Sequence, residues 1–234
     1  MEQDKATFER LIQEDRATRE TRAWRGKFLD YLERIKEDPS VGKLAHARLH
    51  DVILRSGVGD INESDDPRVK RLFKDESVKV YSFFANEFFG IEKVVAQIAR
   101  YFHSASLKGE ESRQVLYLMG PVGSGKSSLV EKLQHGLEDS EALYAIEGCP
   151  MFEEPLHLIP RHLRREFEKM LGVHVEGDLC PVCRFRLKEE FGERYEEVPV
   201  ATRTFSKRNR IGIGVVPPVD PNNQDTSVLR THRD

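Results

Sequence analysis

Gln114-Val115-Leu116-Tyr117-Leu118-Met119-Gly120-Pro121-Val122-Gly123-Ser124-Gly125-Lys126-Ser127-Ser128-Leu129 decides how the rest of the chain is read. Val115 to Met119 is a short apolar run of the length expected for a buried parallel strand. The glycine-rich turn after it leads into a segment with Leu129, Val130, Leu133 and Leu137 on one helical face. Leu143-Tyr144-Ala145-Ile146 reads as the next strand. Strand, helix, strand in that order predicts an α/β fold built on a parallel sheet.

Within this stretch Gly120-Pro121-Val122-Gly123-Ser124-Gly125-Lys126-Ser127 matches G-x-x-x-x-G-K-[ST] in full, with Ser128 following in the same turn. Its glycines allow backbone conformations closed to other residues, so that successive N–H groups face phosphate oxygens. A helix that starts at the same point adds the partial positive charge of its N-terminus. Lys126 is positioned to reach the β- and γ-phosphates, and the Ser127 hydroxyl to ligate Mg²⁺. The pattern predicts a P-loop site taking a nucleoside triphosphate and Mg²⁺ at Gly120, Pro121, Val122, Gly123, Ser124, Gly125, Lys126, Ser127 and Ser128.

Hydrolysis further requires an acidic residue at the end of a second strand. Leu143-Tyr144-Ala145-Ile146-Glu147 fits loosely but follows the phosphate-loop helix directly, and Val215-Val216-Pro217-Pro218-Val219-Asp220 carries two prolines that a central strand excludes. Neither is assigned, and the catalytic base stays open.

Outward from this centre, residues 1 to about 37 read as helix, with Phe28, Tyr31, Leu32 and Ile35 on one apolar stripe, broken at Asp38-Pro39-Ser40. A second helix places Leu44, Ala45, Leu49, Val52 and Ile53 inward, and Gly57 to Pro67 reads as loop. This divides the chain into a helical lead-in over 1–66 and a main body over 67–234. Ile91, Val94, Val95, Ile98 and Phe102 mark a further amphipathic helix, and Pro160 opens one with Leu163, Phe167, Met170 and Leu171 inside. Residues 198–216 read as two strands joined by Ser206-Lys207-Arg208-Asn209.

Lys plus Arg number 37 and Asp plus Glu 40, a net charge of −3, which gives no sign of binding nucleic acid by global charge. No apolar run approaches the roughly 18 residues of a membrane helix, and the polar start Met1-Glu2-Gln3-Asp4-Lys5 lacks the core of a signal peptide. Three cysteines make no disulfide framework, so a reducing cytoplasm is the expected setting. Cys180-Pro181-Val182-Cys183 has the spacing of half a zinc site or of a redox pair. Cys149, His174 and His162 are the candidates for the missing ligands, but without a second paired motif the favoured reading is two reduced thiols in a loop. His232-Arg233-Asp234 spells the start of the eukaryotic kinase catalytic loop without its other motifs and reads as coincidence.

The phosphate-loop stretch resembles that of the bacterial PrkA family of serine protein kinases. So do Asp38-Pro39-Ser40 with Lys43-Leu44-Ala45-His46-Ala47-Arg48, Phe88-Phe89-Gly90, Gly148-Cys149-Pro150-Met151, and Glu153-Glu154-Pro155-Leu156-His157-Leu158-Ile159-Pro160. The resemblance implies an AAA-type ATPase module whose longer relatives continue into a kinase-like region, with this chain an N-terminal fragment ending before the second acidic motif. It implies Mg-ATP-dependent phosphoryl transfer to a protein serine, and places Phe88-Phe89-Gly90 near adenine, with plain core as the competing role for the two phenylalanines. A homo-oligomeric ring, with Arg161, Arg164, Arg165 or the Lys207-Arg208-Asn209-Arg210 turn reaching a neighbour's phosphate, is compatible with such a module, although solvated surface is the simpler reading. The alternative function is an AAA-type regulatory ATPase or motor that assembles or remodels partner proteins without kinase chemistry. A third reading is a non-catalytic piece of the module.

Overall fold

A computed structural model of the chain describes residues 7–14, 23–60 and 78–216. After a helical segment at 7–14 the elements run β1 (Arg25–Lys27), α1 (Phe28–Glu37), α2 (Ala45–Arg55), β2 (Val58–Asp60), β3 (Lys79–Tyr81), α3 (Glu92–Ser106), α4 (Lys126–Glu138), β4 (Leu143–Ile146), α5 (Arg164–Leu171), α6 (Pro181–Glu189) and β5 (Pro199–Arg203). Helices and strands are mixed, as an α/β fold requires, but among the described residues the strands pair antiparallel. β5 lies between β1 and β4 and runs antiparallel to both, with Val200 opposite Gly26 on one side and Ile146 on the other. β2 and β3 form a second antiparallel pair.

The expected parallel sheet fails at its first strand. Residues 115–119 have no strand pairing among the described residues, and they alternate rather than bury both faces. Leu116 and Leu118 pack on a hydrophobic cluster, whereas Val115, Tyr117 and Met119 stand 78–90% exposed. A strand buried in a parallel sheet needs a hydrogen-bonded neighbour on each edge. None of the described residues supplies one here.

α1 forms where predicted because Phe28, Tyr31 and Ile35 recur on one face, and all three are fully buried. Burying each such side chain stabilises by about 1.5–3 kcal/mol before entropy is subtracted. Its start is fixed by Asp30, whose carboxylate accepts from the Lys27 amide at 2.7 Å, and its end by Asp38, whose carboxylate accepts from the Ser40 amide at 2.9 Å and turns the chain. The single helix expected up to residue 37 is interrupted, because Arg25–Lys27 adds as a short strand to β5. That pairing partner lies over 170 residues away, so local sequence could not reveal it.

Two hydrophobic clusters result. One joins α1 to Tyr144, Ile146, Leu156, Ile159, Leu171 and Val200. The other joins Ile53 of α2 to Phe84, the inner face of α3 and Leu129 and Leu133 of α4. In α3 the predicted Val95, Ile98 and Phe102 are buried while Val94 is exposed. The helix expected from Pro160 begins only at Arg164, and Met170 points outward. Beyond β5, the second predicted strand is reduced to a single bridge between Ser206 and Ile211 that closes the basic turn. Val58–Asp60 is strand rather than loop. The proposed boundary at 66/67, Pro217 to Asp220 and the terminal His232-Arg233-Asp234 lie outside the described residues.

Candidate nucleotide-binding site

The phosphate loop spans Gly120 to Gly125 and opens directly into α4 at Lys126. Gly123 and Gly125 sit at φ of +81° and +80°, in the left-handed region that L-residues enter at a cost of about 1–2 kcal/mol. Gly125 is the N-cap of α4, and no side chain caps that helix. Its first-turn amides therefore lack an internal acceptor and point out of the helix end. Most of the loop is exposed, and Val122 is wholly so.

Lys126 folds back over this turn. Its ammonium donates to the Gly120 carbonyl at 2.8 Å, to the Pro121 carbonyl at 2.6 Å and to the Ser124 hydroxyl at 3.1 Å. These acceptors are neutral, whereas phosphate oxygens add the attraction of opposite charges to the same hydrogen bonds. The lysine is thus held at the mouth of the loop and can exchange carbonyls for an anion. Ser127 and Ser128 lie exposed on the first turn.

Residues 82–88 run along α4 and brace it. A Cβ at Gly125 would stand 3.6 Å from Phe88, Glu87 pairs with Lys132, and a Cβ at Gly136 would come within 2.7 Å of Phe83. Phe88 packs on the second cluster while bordering the phosphate loop, and Phe89 is exposed. The Phe88-Phe89-Gly90 turn is pinned by Glu92, whose carboxylate accepts from the Gly90 amide at 3.1 Å. One phenylalanine therefore serves the core and adjoins the loop, a combination that neither sequence expectation described.

Other predicted groups are engaged elsewhere. Glu147 forms an ion pair with Arg25 at 2.7 Å, so it is held by β1. Arg161 forks onto Asp178, and Arg164 reaches the Ile159 carbonyl at 3.2 Å and Asp178 at 3.4 Å. The hydrogen bond from Arg161 is the main reason the Asp178 carboxyl is held below its usual range. A cavity of about 720 Å³ opens among His50, Tyr81, Lys93, Arg100 and His103, and no phosphate-loop residue lines it.

Cys180 and Cys183 are free thiols, but they stand at a helix start rather than in a loop. Cys180 and Cys183 begin α6, and Cys149 and Glu153 come to them from the segment after β4. His174 is taken by Glu168 at 2.5 Å, and His162 is exposed. Burial pushes the Cys180 and Cys183 thiols up. Burial also acts to raise Glu153, but hydrogen bonds from the Cys180 thiol, from His157 and from the Cys180 amide outweigh it and hold the carboxyl below its usual range. Cys149 was among the candidate ligands in the sequence. Glu153 was missed because only cysteine and histidine were weighed as ligands.

A glycine turn feeding an uncapped helix start is the local geometry that the G-x-x-x-x-G-K-[ST] pattern calls for, set here in a chain of mixed helices and strands. Residues 26–234 match the family described as the PrkA AAA domain, and the chain belongs to that family. It is 44% identical over 212 residues to the ATP-dependent protease PrkA of Bacillus subtilis (strain 168), covering 88% of this chain and 31% of that protein. It is 34% identical over 177 residues to the serine/threonine kinase YeaG of Escherichia coli (strain K12), covering 72% of this chain and 27% of that one. The chain thus spans about a third of the length of these relatives. No solved structure matches it. Among the described residues no helix is long and apolar enough to cross a membrane.

Proposed function

We propose that the chain is the Mg-ATP-binding part of a PrkA-type enzyme, in which Gly120 to Ser128 hold the triphosphate. The observation that carries this reading is the loop itself: two glycines at positive φ, an uncapped helix start and a lysine resting on carbonyls that an anion can replace. Backbone amides of the loop and the first turn of α4 bind phosphate oxygens. Lys126 neutralises the β- and γ-phosphates, and Ser127 supplies a hydroxyl to Mg²⁺. When bound, Mg²⁺ offsets the charge that develops as the γ-phosphoryl group moves. Phe88 borders the site on the side where the helix begins.

In the whole protein we take the γ-phosphoryl acceptor to be a protein serine, in line with the relative named as a serine/threonine kinase. The relative of 44% identity named as an ATP-dependent protease favours a second reading, in which water is the acceptor and hydrolysis drives work on a partner protein. Incubating the full chain and its candidate protein substrates with γ-labelled ATP separates the two. Label retained as phosphoserine supports the kinase, and label released as inorganic phosphate supports the ATPase. A Lys126→Ala variant identical to wild type in both readouts would remove the loop from either scheme.

A further inference from the structure

We infer that Cys149, Cys180, Cys183 and Glu153 form a structural zinc site that locks the start of α6 to the segment following β4. Their three sulfurs and a carboxylate oxygen all lie within 4.8 Å of one another. Cys149 Sγ and Cys180 Sγ are 3.8 Å apart. A tetrahedral ion with metal–sulfur bonds of about 2.3 Å separates its sulfurs by about 3.8 Å, whereas a disulfide brings them to about 2.05 Å. The four ligand atoms are too close together to surround an iron–sulfur cube. Three soft thiolates in a tetrahedral arrangement select zinc over magnesium or calcium.

The surroundings suit a bound cation. The Cys183 amide donates to Cys180 Sγ at 3.3 Å and the Met151 amide to Cys149 Sγ at 3.4 Å, so backbone N–H groups already face two of the sulfurs. Cys180 is also the N-cap of α6, where the helix end favours negative charge. Glu153 is oriented from both sides, its Oε2 accepting from the Cys180 amide at 2.7 Å and its Oε1 meeting His157 Nδ1 at 2.9 Å. His157 Nε2 lies 2.6 Å from the Glu176 carbonyl, so the ring bridges that carbonyl and the Glu153 carboxylate. This is the outer layer of support that metal-bound groups ordinarily have. Cys149 and Cys183 are buried and the Glu153 side chain nearly so, which leaves no open coordination position for substrate. Binding releases the three thiol protons to solvent and places two positive charges among four negative ligands.

The test uses the full chain, purified in a thiol-free reductant without chelator. Elemental analysis is expected to find one zinc per chain. Replacement by Co²⁺ is expected to give sulfur-to-cobalt charge-transfer bands and the strong visible absorption of a tetrahedral site. Cys183→Ser and Cys149→Ser are expected to lose the metal. Because these could simply misfold, His157→Ala, which keeps all four ligands, is read by chelator competition, with zinc held about 10-fold more weakly. The inference is overturned if the reduced wild type is zinc-free and takes up neither Zn²⁺ nor Co²⁺. It is equally overturned if the native protein carries a disulfide among these cysteines, seen as a loss of two hydrogens in the intact mass.

Discussion

Gly125→Ala probes the phosphate loop at the point where its geometry is most demanding. Gly125 lies at φ +80°, and a methyl group there meets Phe88 at 3.6 Å, an ordinary contact, so sterics with neighbours contribute little. The cost is conformational, about 1–2 kcal/mol for an L-residue in the left-handed region. If the turn persists, the folded state carries that strain, and for a chain of this size Tm falls by about 2–8 °C. If the turn relaxes, Tm holds, and nucleotide must restore the turn on binding, which weakens affinity about 5- to 30-fold at 1.4 kcal/mol per tenfold. The loop is exposed and anchored mainly through Leu129 and Leu133 further along α4, so relaxation with weakened binding is the expected outcome. Titration calorimetry with Mg-ATP and a thermal melt on the same sample separate the two. Gly123→Ala, at φ +81° with nothing within 4 Å of its Cβ, should behave alike. A Gly125→Ala protein with wild-type affinity and wild-type Tm would refute the reasoning.

Gly136→Ala sets two effects against each other. Alanine gains about 0.5–1 kcal/mol of helix preference, but its Cβ would lie 2.5 Å from Val52 and 2.7 Å from Phe83, and overpacking costs about 1–3 kcal/mol. Tm should fall by a few degrees, and Val52→Ala should cost less in that background than in wild type; a rise in Tm would show that α4 and α2 do not approach so closely. Glu154 is half-buried and accepts from the Tyr31 hydroxyl at 2.7 Å, and desolvation pushes its carboxyl up. A carboxyl raised on folding favours the native state most at low pH, and this is lost as pH climbs from the unfolded value of about 4.3 through the folded one. Glu154→Gln keeps an acceptor for Tyr31 and should flatten that decline in Tm–pH melts; an unchanged slope would assign the decline to other groups.

Much of the site could be read directly from the chain because a phosphate loop is local chemistry. Eight consecutive residues carry the glycines, the lysine and the hydroxyl, and the helix that follows starts at Lys126 as expected. α1 and β4 were equally legible, the first from its 3.6-residue stripe and the second from a compact apolar run. What the chain did not disclose depends on distant partners. Val115 to Met119 looks like a buried strand, but Val115, Tyr117 and Met119 are exposed and no described residue pairs with the segment. β4 pairs with a strand more than fifty residues later, in the opposite direction to the one that local order implied. Cys180 and Cys183 announced themselves by spacing, whereas Glu153, one glutamate among many, gains meaning only when folding carries it to the sulfurs.

The most direct test of the nucleotide site is calorimetric titration of Mg-ATP into the wild-type chain and into Lys126→Ala, with magnesium omitted as a third arm. Loss of hydrogen bonds to a charged group costs about 1.5–3 kcal/mol, so the variant should bind about 10- to 150-fold more weakly, and omission of Mg²⁺ should also weaken the wild type. Superimposable isotherms for wild type and variant, or no heat of binding from either, would contradict a triphosphate held at Gly120 to Ser128.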